Sequence, residues 1–530
     1  MDQSATSTAA DRSPTTSRPA AAIAGLISAA FGLGVAELIA GLSRALRSPI
    51  LDVGDRVIDR VPVWLKDLAI SLFGTKDKIA LLVGIGAALA LYAATVGVLG
   101  LRRSLRAGVI GIAAFGLVGS WAAVAGRSET TALAPLPSIV GAAAAAGALL
   151  TFGRTQRLSG QPTASPDSAA PRPMQHPSSR RRFLATAGVF AAGAGVAAAT
   201  GRALEGRFSA AASRLSLTLP AARNRLGVIP ANAQATNAAP FFTPNAEFYR
   251  IDTALTVPQV PIDAWTLRIT GMVENELELT YDDLVDRSLI ESDITLTCVS
   301  NTVGGELMGT ARWLGARLDA LLAEAGVDPA ADQIVGRSVD GYTCGFPVAA
   351  LDGRDALVAI GMNGEPLPLA HGFPARLIVP GLYGYVSATK WLTEIEVTTF
   401  EKFDHYWVPR GYSAEAPIKL QSRIDAPRGL DRIPPGPFVI GGVAWAQTIG
   451  IDAVEIQIDD GAWMAVELAG EVNDTTWRQW SLPWEATPGR HSLTVRATDR
   501  RGAIQTAERS EPLPNGATGH HTVVVLVDES

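Results

Sequence analysis

NGEPLPLAHGFPARLIVPGLYGYVSATKW, Asn363–Trp391, sets four prolines and four glycines around Arg376, Lys390 and His371. Proline removes a backbone donor and glycine weakens regular elements, so this composition suits neither a helix nor a long strand. It reads as loops around a short strand, Arg376–Val379. Glycine lets backbone approach a ligand closely, while two cations and an imidazole supply donors suited to a phosphate or another anion. The same composition also describes an ordinary connection between short strands.

Working outward, HGFPARLIVPG is followed by G-x-x-x-x-x-KW and preceded by MNGEPLP. Upstream lie LTCVSN, Leu296–Asn301, and TARWLGARLDALL, Thr310–Leu322. These motifs, in this order, resemble the sulfite oxidase family of molybdenum enzymes, and the similarity runs from about Pro240 to near the C-terminus. The resemblance implies a molybdenum-molybdopterin cofactor and oxygen-atom transfer on a small sulfur-containing substrate.

Cys298 stands at the expected end of a strand, Asp293–Val299, beside Ser300 and Asn301. A lone cysteine is more often a small buried core residue. The resemblance instead makes Cys298 the metal ligand, and a soft thiolate suits a high-valent metal. By the same resemblance Asn301, His371, Arg376 and Lys390 bind the cofactor, with Lys390 displaced by about one residue from the animal pattern. Arg250, in EFYRIDT, aligns with an arginine of the anion pocket, and Tyr412, in WVPRGYS, with the active-site tyrosine. Cys344 reads as structural. Two departures stand out. The cysteine motif continues as Thr302, Val303 and Gly304 instead of further arginines, and the family's Arg-Asn-His is Arg250-Ile251-Asp252. A sulfite dianion needs several fixed cations to offset its desolvation, so these departures weigh against sulfite as the substrate. The rival within this class is reduction of a sulfoxide.

The 530 residues include only 18% charged ones, and the mean hydropathy is positive, unusual for a wholly soluble protein. The net charge of −6 is modest and basic residues flank apolar runs without forming a stripe, which argues against a nucleic-acid partner. Ala20–Leu42, Ile79–Leu101, Ala107–Gly126 and Ala134–Phe152 each match the length needed to cross a bilayer. Glu37 lies near the end of the first and reads as reaching the interface. Arg102, Arg103 and Arg106, and the basic Arg154–Arg182 segment, put those loops in the cytoplasm. The Ser43–Lys78 loop then falls outside despite seven basic residues, and within it Val57–Phe73 reads as an amphipathic interfacial helix.

After a flexible linker, Gly160–Ser178, comes Ser179–Leu184, SRRRFL, ahead of an Ala/Gly run to Thr200. This resembles a twin-arginine export signal, which carries a folded, cofactor-loaded domain across the membrane. An ordinary fifth span reads equally from the composition, and both readings place the rest of the chain outside the cytoplasm. Ala233-Gln-Ala235 has the pattern of a signal-peptidase site, but it lies far beyond the apolar run, so the anchor reads as uncleaved.

The expected organisation is a disordered N-terminus (1–19), a four-helix transmembrane region (20–153), a cytoplasmic linker (154–182), a fifth span (183–203) and a stalk (204–239). A mixed α+β molybdopterin-binding domain (240–425) follows, then an immunoglobulin-like β-sandwich (426–530). In the catalytic domain, alternation marks Trp265–Thr270 as a strand, Thr280 caps a helix over Leu279–Asp286, and Ala316–Ala325 reads as a helix. From Pro437 onward, short strands recur with one Asp460-Gly461 hairpin signal. The resemblance adds a possible homodimer through this last domain.

Oxygen-atom transfer moves two electrons, so turnover needs a second redox partner. Two cysteines cannot hold an ordinary iron–sulfur cluster, there is no C-x-x-C-H, and all six histidines lie outside the expected spans. The expectation is a molybdenum-only chain that exchanges electrons with a separate cytochrome or membrane redox protein. A reading from another class is a non-enzymatic envelope binding module with a retired cofactor site.

Overall fold

The computed structural model describes residues 17–61, 77–125, 131–158 and 177–529. The expected disordered N-terminus, the linker Gly160–Ser178 and much of Val57–Phe73 lie largely outside these residues. Two compact units divide the chain between Phe208 and Ser209.

The first unit is helical. Arg18–Ala40, Asp77–Arg102, Leu105–Val124, Leu136–Leu158 and Pro177–Gly206 each contain a stretch long and apolar enough to cross a membrane. Small residues let the first of these helices approach its neighbours at backbone distance. A Cβ on Gly25 would lie 2.2 Å from the Ala93 carbonyl, and one on Gly34 would lie 2.6 Å from that of Ala194. Large apolar side chains such as Leu91, Ile110, Leu117, Val189 and Val196 point outward. Among the described residues Pro49–Arg60 is an amphipathic helix, and Ser48 caps it by accepting from the Ile50 amide at 3.3 Å. Glu37 accepts a hydrogen bond from the Ser48 hydroxyl, so it is tied to this helix start and does not project freely.

The second unit begins with β1 (Thr266–Gly271) and β2 (Leu277–Thr280), then the helix Tyr281–Val285. That helix starts where expected, with a reciprocal capping box between Thr280 and Asp283. Next come β3 (Leu289–Thr297), β4 (Met308–Arg317), the helix Leu318–Ala325, β5 (Gln333–Ser338), β6 (Thr343–Pro347), β7 (Leu357–Met362), β8 (Glu365–Pro366), β9 (Arg376–Ile378) and β10 (Leu392–Thr398). They form a mixed sheet, β2-β1-β10-β5-β6, in which β1 and β10 run parallel, and an antiparallel sheet, β3-β4-β7-β8, with β9 against β7. Leu318, Leu321 and Leu322 bury the helical face between them, in one core with Leu267, Ile269, Phe346 and Ile395. This is the mixed α+β domain expected from short strands and loops.

The C-terminal region holds β11 (Gln421–Ala426), β12 (Arg432–Ile433), β13 (Gly436–Trp445), β14 (Ile451–Ile458), β15 (Trp463–Ala465), β16 (Glu467–Leu468), β17 (Arg478–Ala486), β18 (Gly489–Asp499) and β19 (His521–Val527). Two sheets result, β11-β13-β17-β16 and β12-β19-β18-β14-β15, and their inner faces share one apolar core that includes Ile440, Val454, Trp480 and Val525. Pairing of β11 with β13 moves the start of this region upstream of residue 426. The expected hairpin joins β14 to β15, but Asp459 and Asp460 take the left-handed conformation there in place of Gly461.

Residues 209–239, expected as part of a stalk, are packed into this unit. Arg214 Nε donates to the Leu367 carbonyl at 2.9 Å, the Leu226 amide to Glu291 at 2.7 Å and the Ala235 amide to Gln479 at 2.7 Å. Ala210 and Ala233 are both 0% exposed. A composition of small and polar residues reads as a tether only if its backbone groups face water, and here they bond to protein.

The C-terminal region covers the free edge of β3. The Thr295 amide donates to the Thr475 carbonyl at 3.1 Å, Gln447 Nε2 donates to the Thr295 carbonyl at 2.5 Å and Asn473 Nδ2 to that of Asp293 at 2.9 Å. It also grips the loop beyond β3. Arg423 Nη1 donates to the Gly305 carbonyl at 2.9 Å, and the His521 ring lies so close to Gly304 (φ +76°) that a Cβ there would be 2.2 Å from it. His521 Nδ1 accepts from the Ile424 amide at 3.0 Å, which requires the neutral ring with its proton on Nε2.

Burial, reinforced by Arg423 and Arg509 and opposed by Asp425, pulls the His521 pKa down to about 4. The unfolded chain therefore binds the proton first as pH falls. Stability contributed by the neutral imidazole is complete above about pH 6.5 and is lost as pH falls toward 4, on the order of 3 kcal/mol. We expect the melting temperature of the wild type to drop across this window and that of His521→Asn to drop less. Equal slopes would remove His521 from the acid response.

Candidate active site

β3 ends at Thr297, and Cys298 is the first residue of the loop beyond it. Its amide donates to the Leu307 carbonyl at 2.9 Å, and its carbonyl accepts from the Asn301 amide at 3.0 Å. Asn301 Oδ1 in turn accepts from the Leu307 amide at 2.8 Å, so this side chain closes the loop upon itself. The geometry gives Asn301 the role of holding Cys298 in place. The Cys298 side chain is buried, at 7% exposure, and lies in the wall of a cavity enclosing roughly 740 Å³ of atom-free space, part of it open to solvent.

Arg376 and Lys390 line the same cavity. The turn at Gly372 (φ +110°) brings them together, since a Cβ there would sit 3.1 Å from both Arg376 Cβ and Lys390 Cα. Arg376 is 3% exposed. Its Nη1 donates to the His371 carbonyl at 3.1 Å and its guanidinium lies over the Trp313 ring at 5.2 Å, but Nε has no partner. Among the described residues no carboxylate forms an ion pair with it. Burial lowers its pKa to about 10, so it stays charged at neutral pH. A buried cation without a counterion is costly, by several kcal/mol, and the imbalance points to an anion that the chain itself does not provide.

His371 stands behind the wall against Phe248, ring centroids 5.7 Å apart. Burial first, then Arg376 and Lys390, pulls its pKa down to about 4, so the ring is neutral at pH 7. Nε2 lies 3.2 Å from the Asn245 carbonyl, which can only accept, and this assigns the proton to Nε2. Nδ1 is left as a buried acceptor with no partner. Lys390 Nζ donates to the Ile251 carbonyl and to Asp252, each at 3.1 Å, and burial lowers its pKa to about 8.

Arg250 pairs with Asp252 at 2.8 Å. Tyr412 stands outside the lining, its ring 5.5 Å from that of Tyr385 and 5.1 Å from that of Trp407, both of which do line the cavity. The structure thus brings Cys298, Arg376 and Lys390 into one wall, sets His371 directly behind it, and leaves Tyr412 to support its aromatic side. Sequence reasoning missed Tyr249, Asp252, Tyr342, Tyr385 and Trp407 as wall residues. For Asp252 a signal existed, a carboxylate two positions after Arg250. Cys344 is fully buried and its sulfur accepts from the Thr389 hydroxyl at 2.9 Å, in keeping with a structural role.

Burial pushes the Cys298 thiol up, while hydrogen bonds from Ser300 and the charge of Lys390 oppose the shift. Coordination to a metal would deprotonate it regardless. Among the described residues no group of three His, Cys, Asp or Glu side chains could hold a metal ion, so most ligands would have to come from a cofactor. One thiol, one uncompensated guanidinium and one orphaned imidazole nitrogen fit a metal carried by a phosphorylated, hydrogen-bonding organic group.

Comparison with known proteins agrees. Residues 254–407 match the oxidoreductase molybdopterin binding domain. The chain is 30% identical over 303 residues to mitochondrial sulfite oxidase of Homo sapiens, covering 48% of this chain and 55% of that protein. It is 28% identical over 296 residues to sulfite oxidase of Gallus gallus, covering 47% and 63%. It is also 29% identical over 187 residues to the uncharacterized oxidoreductase YuiH of Bacillus subtilis (strain 168), covering 35% and 86%. The chain spans about half the length of the human sulfite oxidase it matches. These matches and the cavity define a molybdopterin-dependent oxidoreductase. More narrowly, the relatives it resembles over about half its length are sulfite oxidases.

Proposed function

We propose that this protein is a membrane-anchored oxidoreductase whose catalytic unit faces out of the cytoplasm and acts on a small sulfur-containing compound. The observation that carries the chemistry is the pairing of a buried thiol, Cys298, with a buried guanidinium, Arg376, that lacks a counterion. The bound molybdenum cofactor supplies two-electron oxygen-atom transfer. Cys298 would hold the metal, and Arg376 and His371, with Lys390 beside them, would hold the phosphate and the pterin. Tyr249, Tyr342, Tyr385 and Trp407 narrow the cavity and exclude water. Sulfite and water would give sulfate, two protons and two electrons; in the alternative direction a sulfoxide, two electrons and two protons would give the sulfide and water.

Five long apolar helices with outward-facing Leu, Ile and Val support membrane anchoring. Arg102, Arg103 and Arg106, and the arginines of Ser179–Leu184, support an outward catalytic unit. The two sheets with a shared core support an immunoglobulin-like C-terminal domain, and the family resemblance alone suggests a homodimer through it. The test of the enzymatic reading is elemental analysis after expression in a cofactor-competent host, followed by assays with sulfite and methionine sulfoxide. Less than about a tenth of an equivalent of molybdenum would favour a non-enzymatic binding module.

None of the five long apolar helices contains a histidine, the usual ligand of a membrane haem. Electrons would therefore pass to or from a separate cytochrome or membrane redox protein. We expect no haem Soret band from the purified full-length chain. A chain beginning at Ser209, which keeps the packed 209–239 segment, should still turn over with an artificial electron carrier. A stoichiometric haem lost on that truncation would make the helical unit an electron-transfer module.

A further inference from the structure

A cation in a cavity wall attracts a substrate anion only to the extent that no fixed carboxylate already pairs with it. Lys390 is the one amine in this wall, and Asp252 Oδ2 accepts from it at 3.1 Å. The same oxygen accepts from Arg250 Nε at 2.8 Å, so one carboxylate lies between two cations. Its side chain is 5% exposed, which leaves little solvent to screen it. Asp340 adds a second carboxylate to the wall. The wall thus holds two cations, Arg376 and Lys390, against two carboxylates, and much of the remainder is aromatic: Phe248, Tyr249, Tyr342, Tyr385 and Trp407.

We propose that Asp252 selects substrate by charge: it cancels Lys390 and Arg250, so that the cavity takes an uncharged sulfur compound in preference to a dianion such as sulfite. The proposal rests on the reading of this cavity as the site of sulfur chemistry. Removing the carboxylate would free Lys390 toward the cavity, leave Arg250 beside it without its counterion, and reverse the preference. A purely structural Asp252, serving only to hold Lys390, would instead weaken uncharged and dianionic ligands alike when replaced.

The test uses the full-length, cofactor-loaded protein and its Asp252→Asn variant, with sulfate as the dianion and dimethyl sulfone as its uncharged counterpart, each titrated by calorimetry. The wild type is expected to bind dimethyl sulfone at least fivefold more tightly than sulfate. Asp252→Asn should gain at least fivefold in sulfate affinity, and Lys390→Met in that background should remove the gain. The ratio of kcat/KM for sulfite over that for methionine sulfoxide should rise at least fivefold in the same variant. A smaller gain in sulfate affinity, or a wild type that prefers sulfate, overturns the proposal. Should Asp252→Asn fail to fold, the wild-type preference decides alone. Absence of molybdenum or of turnover with both compounds would remove the proposed activity, while the two titrations still decide the role of Asp252.

Discussion

Cys298→Ser is expected to lose turnover by roughly 1000-fold or more, equivalent to about 4 kcal/mol of transition-state stabilisation. A hard, weakly acidic hydroxyl replaces a soft thiolate at the position proposed to hold the metal. The fold should barely respond, because serine is nearly isosteric and the loop is held by backbone bonds to Leu307 and Asn301. Circular dichroism and the melting temperature should match the wild type within about 1 kcal/mol of stability. Pterin content, read by fluorescence after extraction, should persist, since Arg376 and His371 are untouched. Cys344→Ser should keep its turnover, because that thiol lies in the core against Thr389. If the two variants exchanged behaviour, the metal ligand would be Cys344.

Arg376→Met should move cofactor retention and stability in opposite directions. The cofactor-free wild type carries a guanidinium at 3% exposure with an unpartnered Nε and no ion-paired carboxylate among the described residues. Methionine of similar length removes that charge, so the cofactor-free variant should be as stable as the wild type or more stable by about 1–3 kcal/mol. Loss of the anion partner should lower cofactor content after purification at least tenfold, or about 1.4 kcal/mol. The paired readouts are the melting temperature of cofactor-free protein and the pterin per chain. A variant that is less stable yet fully loaded would make Arg376 a structural residue packed on Trp313.

The sequence disclosed those parts of the site that depend on local order. Cys298 at the end of a strand, the Gly/Pro-rich loops that carry His371 and Arg376, and the Thr280 cap are each written within a few neighbouring residues. The short strands from Gly436 onward were legible for the same reason, since alternation and turn residues are local. What stayed hidden depends on contacts between distant segments. Asp252 read as the loss of a histidine because its partner, Lys390, lies 138 positions away. Tyr342, Tyr385 and Trp407 each look like core aromatics, and only the fold gathers them around one cavity. Tyr412 fits its motif, yet its ring rests behind Tyr385 and Trp407. Residues 209–239 carry no periodicity, and their hydrogen-bond partners are spread from Glu291 to Gln479.

Bracing of the cysteine loop by Arg423 and His521 also fixes an order of events during synthesis. By the time a ribosome reaches β11, Cys298 and every residue of the cavity wall have been synthesised. His521, which opens β19, the last strand in chain order, is made much later. Until then Gly304 has no ring against it, and the loop carrying the thiol has only part of its support. A nascent chain that stops short of β19 therefore lacks part of the brace on this loop, and the fully supported loop belongs to the finished unit.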